Sequence, residues 1–153
     1  MHHFTFNNTL VVLFLFLIYK AAITTTAIRT KHIDELHLDH QLWNNETRFY
    51  ADELKIFQKK LEKMSLVNSG IDFRKQIEHF QDQFIIQKEQ LEILNNEIKL
   101  HEGWLAEYAG EHGETIEHDL FADHLMMRGC METFRKIYDD LKSDFYDFLE
   151  KWR

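Results

Sequence analysis

The chain has 153 residues, 44% of them hydrophobic, with no proline and only 5 glycines, which fits one helical domain and speaks against a turn-rich β fold. Its formal net charge is −8, from 18 Lys and Arg against 26 Asp and Glu without a dense basic stripe, so nucleic acid is not an expected partner. A single cysteine, Cys130, rules out an internal disulfide and a cysteine zinc ribbon, and reads as a small apolar residue near a helix seam.

The first thirty residues stand apart. The apolar run Leu10–Tyr19 is shorter than the roughly 20 residues that span a bilayer, and its length suits the apolar region of a signal peptide. Ala21, Ala22 and Ala27 would then offer cleavage positions, although no Lys or Arg precedes the run. Extended through Ala22 and Ile23, the run becomes a membrane anchor interrupted by Lys20. A third reading is upstream sequence from a misassigned start, with the protein beginning near Thr24. The first two readings imply an exported or membrane-anchored protein and the third a cytoplasmic one. A membrane is a partner only if the run is an anchor.

From residue 31 to 153 the pattern predicts an all-α, antiparallel up-down-up three-helix bundle, with helices over about 31–66, 70–109 and 115–152. The first apolar stripe runs Ile33, Leu36, His40, Trp43, Thr47, Tyr50, Leu54, Phe57, Leu61, Met64, stepping by three and four. It ends at Val67-Asn68-Ser69-Gly70, where Ser69 is the expected cap of the next helix. The second stripe runs Phe73, Ile77, Phe80, Phe84, Gln87, Leu91, Leu94, Ile98, His101, Leu105 and fades at Gly110-Glu111-His112-Gly113. Thr115 is the expected cap of a third helix with the stripe Leu120, His124, Met127, Met131, Phe134, Tyr138, Leu141, Phe145, Phe148, Trp152. A period near 3.5 implies left-handed, coiled-coil-like packing. The Phe-rich far end is expected to carry most of the burial energy.

Antiparallel pairing about the two turns sets an expected register. It places Leu36 opposite His101, His101 opposite His124, and His40 at the height of Glu97 and Arg128. His37 lies on the flank of the same end. Histidines from three helices therefore meet near one level, among acidic residues that include Asp39, Glu46, Glu97, Glu102, Glu117 and Asp123.

His37, His40, His101 and His124 are the candidate metal ligands, with Glu97 or Glu117 as a carboxylate ligand or hydrogen-bond acceptor behind them. Imidazole with carboxylate suits Zn, Fe, Ni or Cu better than Ca or Mg, and Zn or Fe is the cofactor expected if one binds. Two other readings stand beside this. The end is a structural polar layer, with a Glu97–Arg128 ion pair and His40 beside it, or a pH-responsive histidine cluster.

A metal layer in a bundle invites comparison with ferritin-like and hemerythrin-like proteins. Their motifs are missing: the chain has no Glu-x-x-His, His-x-x-x-Glu, His-x-x-x-His or His-Glu-x-x-His. The runs ELHLDHQLW (Glu35–Trp43), EHFQDQFIIQKEQ (Glu78–Gln90) and DFLEKW (Asp147–Trp152) resemble a group of uncharacterised bacterial helical proteins. That resemblance covers most of the chain after Thr30, implies a bundle, and implies no activity.

With no nucleophile motif, phosphate loop or ordered acid–base pair, the first functional expectation is a non-catalytic binding or interaction bundle. It would form a homo-oligomer or take a partner helix on a remaining apolar stripe. The alternative is a metal-binding bundle with its site at the histidine-rich end. An enzyme is the weakest of the three.

Overall fold

Apolar side chains that recur every three or four residues line one face of a 3.6-residue turn, and burying that face is what stabilises a long helix in water. A computed structural model describes residues 33–112 and 118–153; at 112, 118 and 119 the description is of backbone alone. The chain forms α1 (Ile33–Ser65), α2 (Ile71–His112) and α3 (His118–Lys151). At 33, 42 and 34 residues they are about 50, 63 and 51 Å long at 1.5 Å per residue. The expected all-α three-helix bundle is what forms. Among the described residues no helix is long and apolar enough to cross a membrane, and the Leu10–Tyr19 run lies outside those residues.

The three predicted stripes are the buried seam. From α1 it takes Leu36, His40, Trp43, Thr47, Leu54, Phe57 and Leu61, from α2 the series Phe73 to Leu105, and from α3 the series His124 to Phe148. Leu94, Met64, Leu120 and Trp152 stay partly exposed at its margins. Cys130 is half-buried and free, and burial, aided by the charge of Glu97, pushes its thiol up, as suits a packing residue.

α1 and α3 run parallel, and a charged ladder records their register. Asp39 pairs with Arg128, Glu46 with Arg135 at 2.5 and 2.7 Å, and Glu53 with Lys142 at 2.6 Å. Each rung sits one heptad beyond the last on both helices, a spacing that only parallel helices can keep. All three pairs reach solvent, so each contributes about 0.2–1 kcal/mol and serves mainly to select the register.

The pairing of α1 with α2 differs from expectation by about one helical turn. His40, instead of Leu36, lies opposite His101, and Phe57 meets Phe84 at 6.0 Å. The expected register rests on a turn centred between the two helices, and packing breaks that symmetry. Phe73, in the first turn of α2, reaches past the end of α1 to pack on Phe148 and Trp152 of α3, at 5.7 and 5.1 Å. The turn also begins α2 one residue later than expected. The Gly70 carbonyl accepts the first helical bond, from Arg74 N at 2.9 Å, which makes Gly70 the cap in place of Ser69. At the other end α2 continues through Gly110 to His112, beyond the predicted fade, and Thr115 lies outside the described residues.

The densest packing is at the Phe-rich end. Phe84 is fully buried between Phe57, Phe80 and Phe145, with ring centroids at 6.0, 6.1 and 5.1 Å. Truncating it leaves a cavity that three rigid helices cannot collapse. Phe84→Ala is therefore expected to cost about 3–5 kcal/mol of unfolding free energy. Leu66→Ala, at the exposed turn, should stay within about 0.5 kcal/mol. Denaturant titration followed by circular dichroism reads both.

Candidate metal centre

Three histidines occupy seam positions that apolar residues fill elsewhere along the helices. His40 lies between Leu36 and Trp43 on α1, His101 between Ile98 and Leu105 on α2, and His124 one turn before Met127 on α3. The heptad rotation that buries those neighbours carries the imidazoles inward too. They end 1%, 2% and 0% exposed, a burial that only satisfied or ligating rings tolerate. Ring centroids are 4.8 Å apart for His40–His101, 5.1 Å for His40–His124 and 5.5 Å for His101–His124. Trp43 stacks on His124 at 4.8 Å and walls the cluster on one side.

The hydrogen bonds around these rings fix where their protons sit. His101 Nε2 faces the Leu120 carbonyl at 3.3 Å, an acceptor, so that nitrogen carries the proton. His124 Nε2 donates to Asp39 Oδ2 at 2.9 Å, and His40 Nδ1 donates to the Glu102 carboxylate. Every outward nitrogen is thus a donor held by a carboxylate or a carbonyl. In neutral rings the inward nitrogens, His40 Nε2, His101 Nδ1 and His124 Nδ1, are left with lone pairs. Two of these, His40 Nε2 and His101 Nδ1, lie at hydrogen-bonding distance, 2.9 Å, and the third, His124 Nδ1, is buried without a partner in the protein.

Electrostatics keeps two of the rings neutral. Burial, reinforced by the nearby His40 and His101 rings, drives His124 from its usual 6.5 down to about 4, against the opposing pull of Asp39. Burial and then His40 lower His101 as well. For Asp39, burial disfavours the charge, but hydrogen bonds from His124 and Arg128 outweigh it and hold the carboxyl below its ordinary value. The result is a buried cluster in which His101 and His124 are held neutral, with the ionised Asp39 carboxylate behind His124. One nitrogen from each ring lies within 4.8 Å of the others, so the trio can hold a metal ion. Zinc at about 2.0–2.1 Å from each nitrogen would set them roughly 3.3 Å apart, so the His40 and His101 nitrogens would part slightly from 2.9 Å, an adjustment on the scale of small side-chain rotations.

Of the four predicted ligands, the structure brings His40, His101 and His124 together and leaves His37 outside. His37 is half-exposed, and its Nδ1 meets the other oxygen of Glu102. Arg128 pairs with Asp39 and not with Glu97, which is exposed, and Glu117 lies outside the described residues. The outer carboxylate roles fall instead to Asp39 and Glu102, which the sequence presents only as acidic neighbours of the cluster. A usable signal existed: each directly adjoins a seam histidine, Asp39 before His40 and Glu102 after His101. The shift of one turn between α1 and α2 exchanged the partners. Comparison with family models, with curated proteins and with solved structures finds no match.

The pH dependence of the metal-free fold follows from His124. An unfolded imidazole takes up a proton as pH falls below about 6.5, whereas the folded ring resists until about 4. Across that window the unfolded chain binds more protons, so stability falls as pH falls, by up to about 1.4 kcal/mol per pH unit for this one site. His124→Gln should flatten that part of the curve. Chelator-treated protein unfolded at a series of pH values provides the comparison.

Proposed function

We propose that the protein is a metal-binding helical bundle that holds a divalent transition ion, Zn or Fe, between His40 Nε2, His101 Nδ1 and His124 Nδ1. The observation that carries this reading is the convergence of three buried ring nitrogens, each on a ring whose outward nitrogen meets a carboxylate or a carbonyl. Metal-ligating histidines characteristically donate their second N–H to a carboxylate or carbonyl, which sets the tautomer and strengthens the ligand. A structural polar layer would be expected to use those inward nitrogens in hydrogen bonds. Here His124 Nδ1 has no partner in the protein, and His40 Nε2 and His101 Nδ1 have only each other, at 2.9 Å. A divalent cation would give all three nitrogens a common partner. An all-imidazole set suits Zn, Fe, Ni or Cu, and three protein ligands leave a fourth position for water.

The test uses protein purified without a histidine tag. Metal analysis should find about one equivalent of Zn or Fe, and Zn2+ added to chelated protein should raise the melting temperature. At a free ion concentration 100-fold above Kd the gain is about 2.7 kcal/mol. His101→Ala and His124→Ala should abolish that gain, while His79→Ala, on an exposed face of α2, should keep it. Protein that contains no metal and whose melting temperature ignores added Zn2+ and Fe2+ would sink the reading.

A second, compatible reading is self-association through α1. Leu42, Phe49 and Ile56 repeat at heptad spacing on its outer face, 55–62% exposed, which is the pattern of a coiled-coil seam offered to a second copy of the chain. Sedimentation should show a dimer that Phe49→Glu converts to monomer. A strict monomer for the unsubstituted chain overturns this.

A further inference from the structure

A cluster that is at most 2% exposed cannot meet an ion directly from solvent, so the site needs a way in. Two carboxylates connect the buried rings to the surface, and they differ. Asp39 Oδ2 is shared between His124 and the Arg128 guanidinium, and that fixed positive charge repels an approaching cation. Glu102 has imidazoles on both oxygens: Oε1 meets His37 Nδ1 and Oε2 meets His40 Nδ1. His37 and His40 are three residues apart on one face of α1. His37 is 51% exposed and His40 is 1% exposed, so Glu102 bridges an outer ring and an inner one.

Resting on the metal reading above, we propose that His37 and Glu102 form the loading port of the buried site, a surface pair that captures a hydrated divalent ion and passes it to His40. His37 and Glu102 replace water on the ion with one imidazole nitrogen and one carboxylate oxygen, donors suited to the metals the inner trio takes. Because the His37 ring is open to solvent, its Nδ1 proton moves to Nε2 through water, and no net proton is lost in the capture. A carboxylate engaged with the ion lets go of His40 Nδ1. The released His40 ring is then free to turn and draw the ion inward to His101 and His124. Each step exchanges one ligand for another on the ion, with no change of oxidation state. The overall charge of −8 favours the encounter with a cation.

The experiment is stopped-flow uptake of Co2+ by the chelated full-length chain, read by the visible absorption of the bound ion, with release into excess chelator measured in parallel. His37→Ala should slow uptake and release together, by about tenfold or more, and leave the final spectrum, the stoichiometry and Kd unchanged. His37→Lys keeps a hydrogen-bond donor for Glu102 but offers no lone pair at neutral pH, so it should be as slow as His37→Ala. Circular dichroism confirms that both variants are folded, as expected for a half-exposed side chain. If His37→Lys loads at the unsubstituted rate, His37 only positions Glu102 and the port is overturned while the metal site stands. If His37→Ala changes Kd or the final spectrum, His37 belongs to the site itself and the port is overturned in the same way. Failure of the unsubstituted chain to take up any ion overturns the metal site and the port together.

Discussion

Three imidazoles buried in a helical seam impose a strict demand, because each ring brings two nitrogens that need partners in a place without water. The bundle meets half of that demand by turning every outward nitrogen onto Glu102, Asp39 or the Leu120 carbonyl. Of the inward nitrogens, those of His40 and His101 meet each other, and His124 Nδ1 has no partner in the protein. Packing around the cluster depends on this arrangement. Trp43 stacks on His124, and the buried Leu36, Ile98 and Leu105 are the neighbouring seam residues on the same helices. An apolar residue at any of the three positions would pack readily. Three polar rings in one layer, with one buried nitrogen unpartnered, are what the proposed cation would complement.

The register of the helices and the chemistry of the centre are one problem. Asp39 is both the top rung of the α1–α3 ladder and the hydrogen-bond acceptor that sets the tautomer of His124. Sliding α3 by a heptad along α1 would break the rungs and separate His124 from its carboxylate. The Phe-rich end supplies the burial that holds this register, through contacts such as Phe57 with Phe145 at 5.0 Å and Phe80 with Phe148 at 5.0 Å. The bundle therefore divides along its length. One end is apolar and holds the helices together, and the other uses the resulting alignment to gather donors.

The histidine end is also graded from outside to inside. His37 is open to solvent, Glu102 is partly covered, and His40 is buried. On the opposite side Arg128 closes off Asp39. A single layer of the bundle thus presents one carboxylate paired with a guanidinium and one held between two imidazoles.

The sequence by itself determined a good deal. The absence of proline and the three-and-four stepping of apolar residues dictated three helices and nearly every seam residue, because periodicity is a property of each helix alone. It also brought His40, His101 and His124 to one end, since they occupy seam positions in their own stripes. Tertiary structure decided which neighbours those rings would face. Antiparallel register was legible only through an assumed symmetric turn, and with Phe73 reaching past the end of α1 onto Phe148 and Trp152, α2 stands about one turn from the expected height. That displacement put His40 on His101 and took Glu97 away from Arg128, which pairs with Asp39. A helical stripe tells which residues point inward. Only the packing of one stripe against another tells at what height they meet.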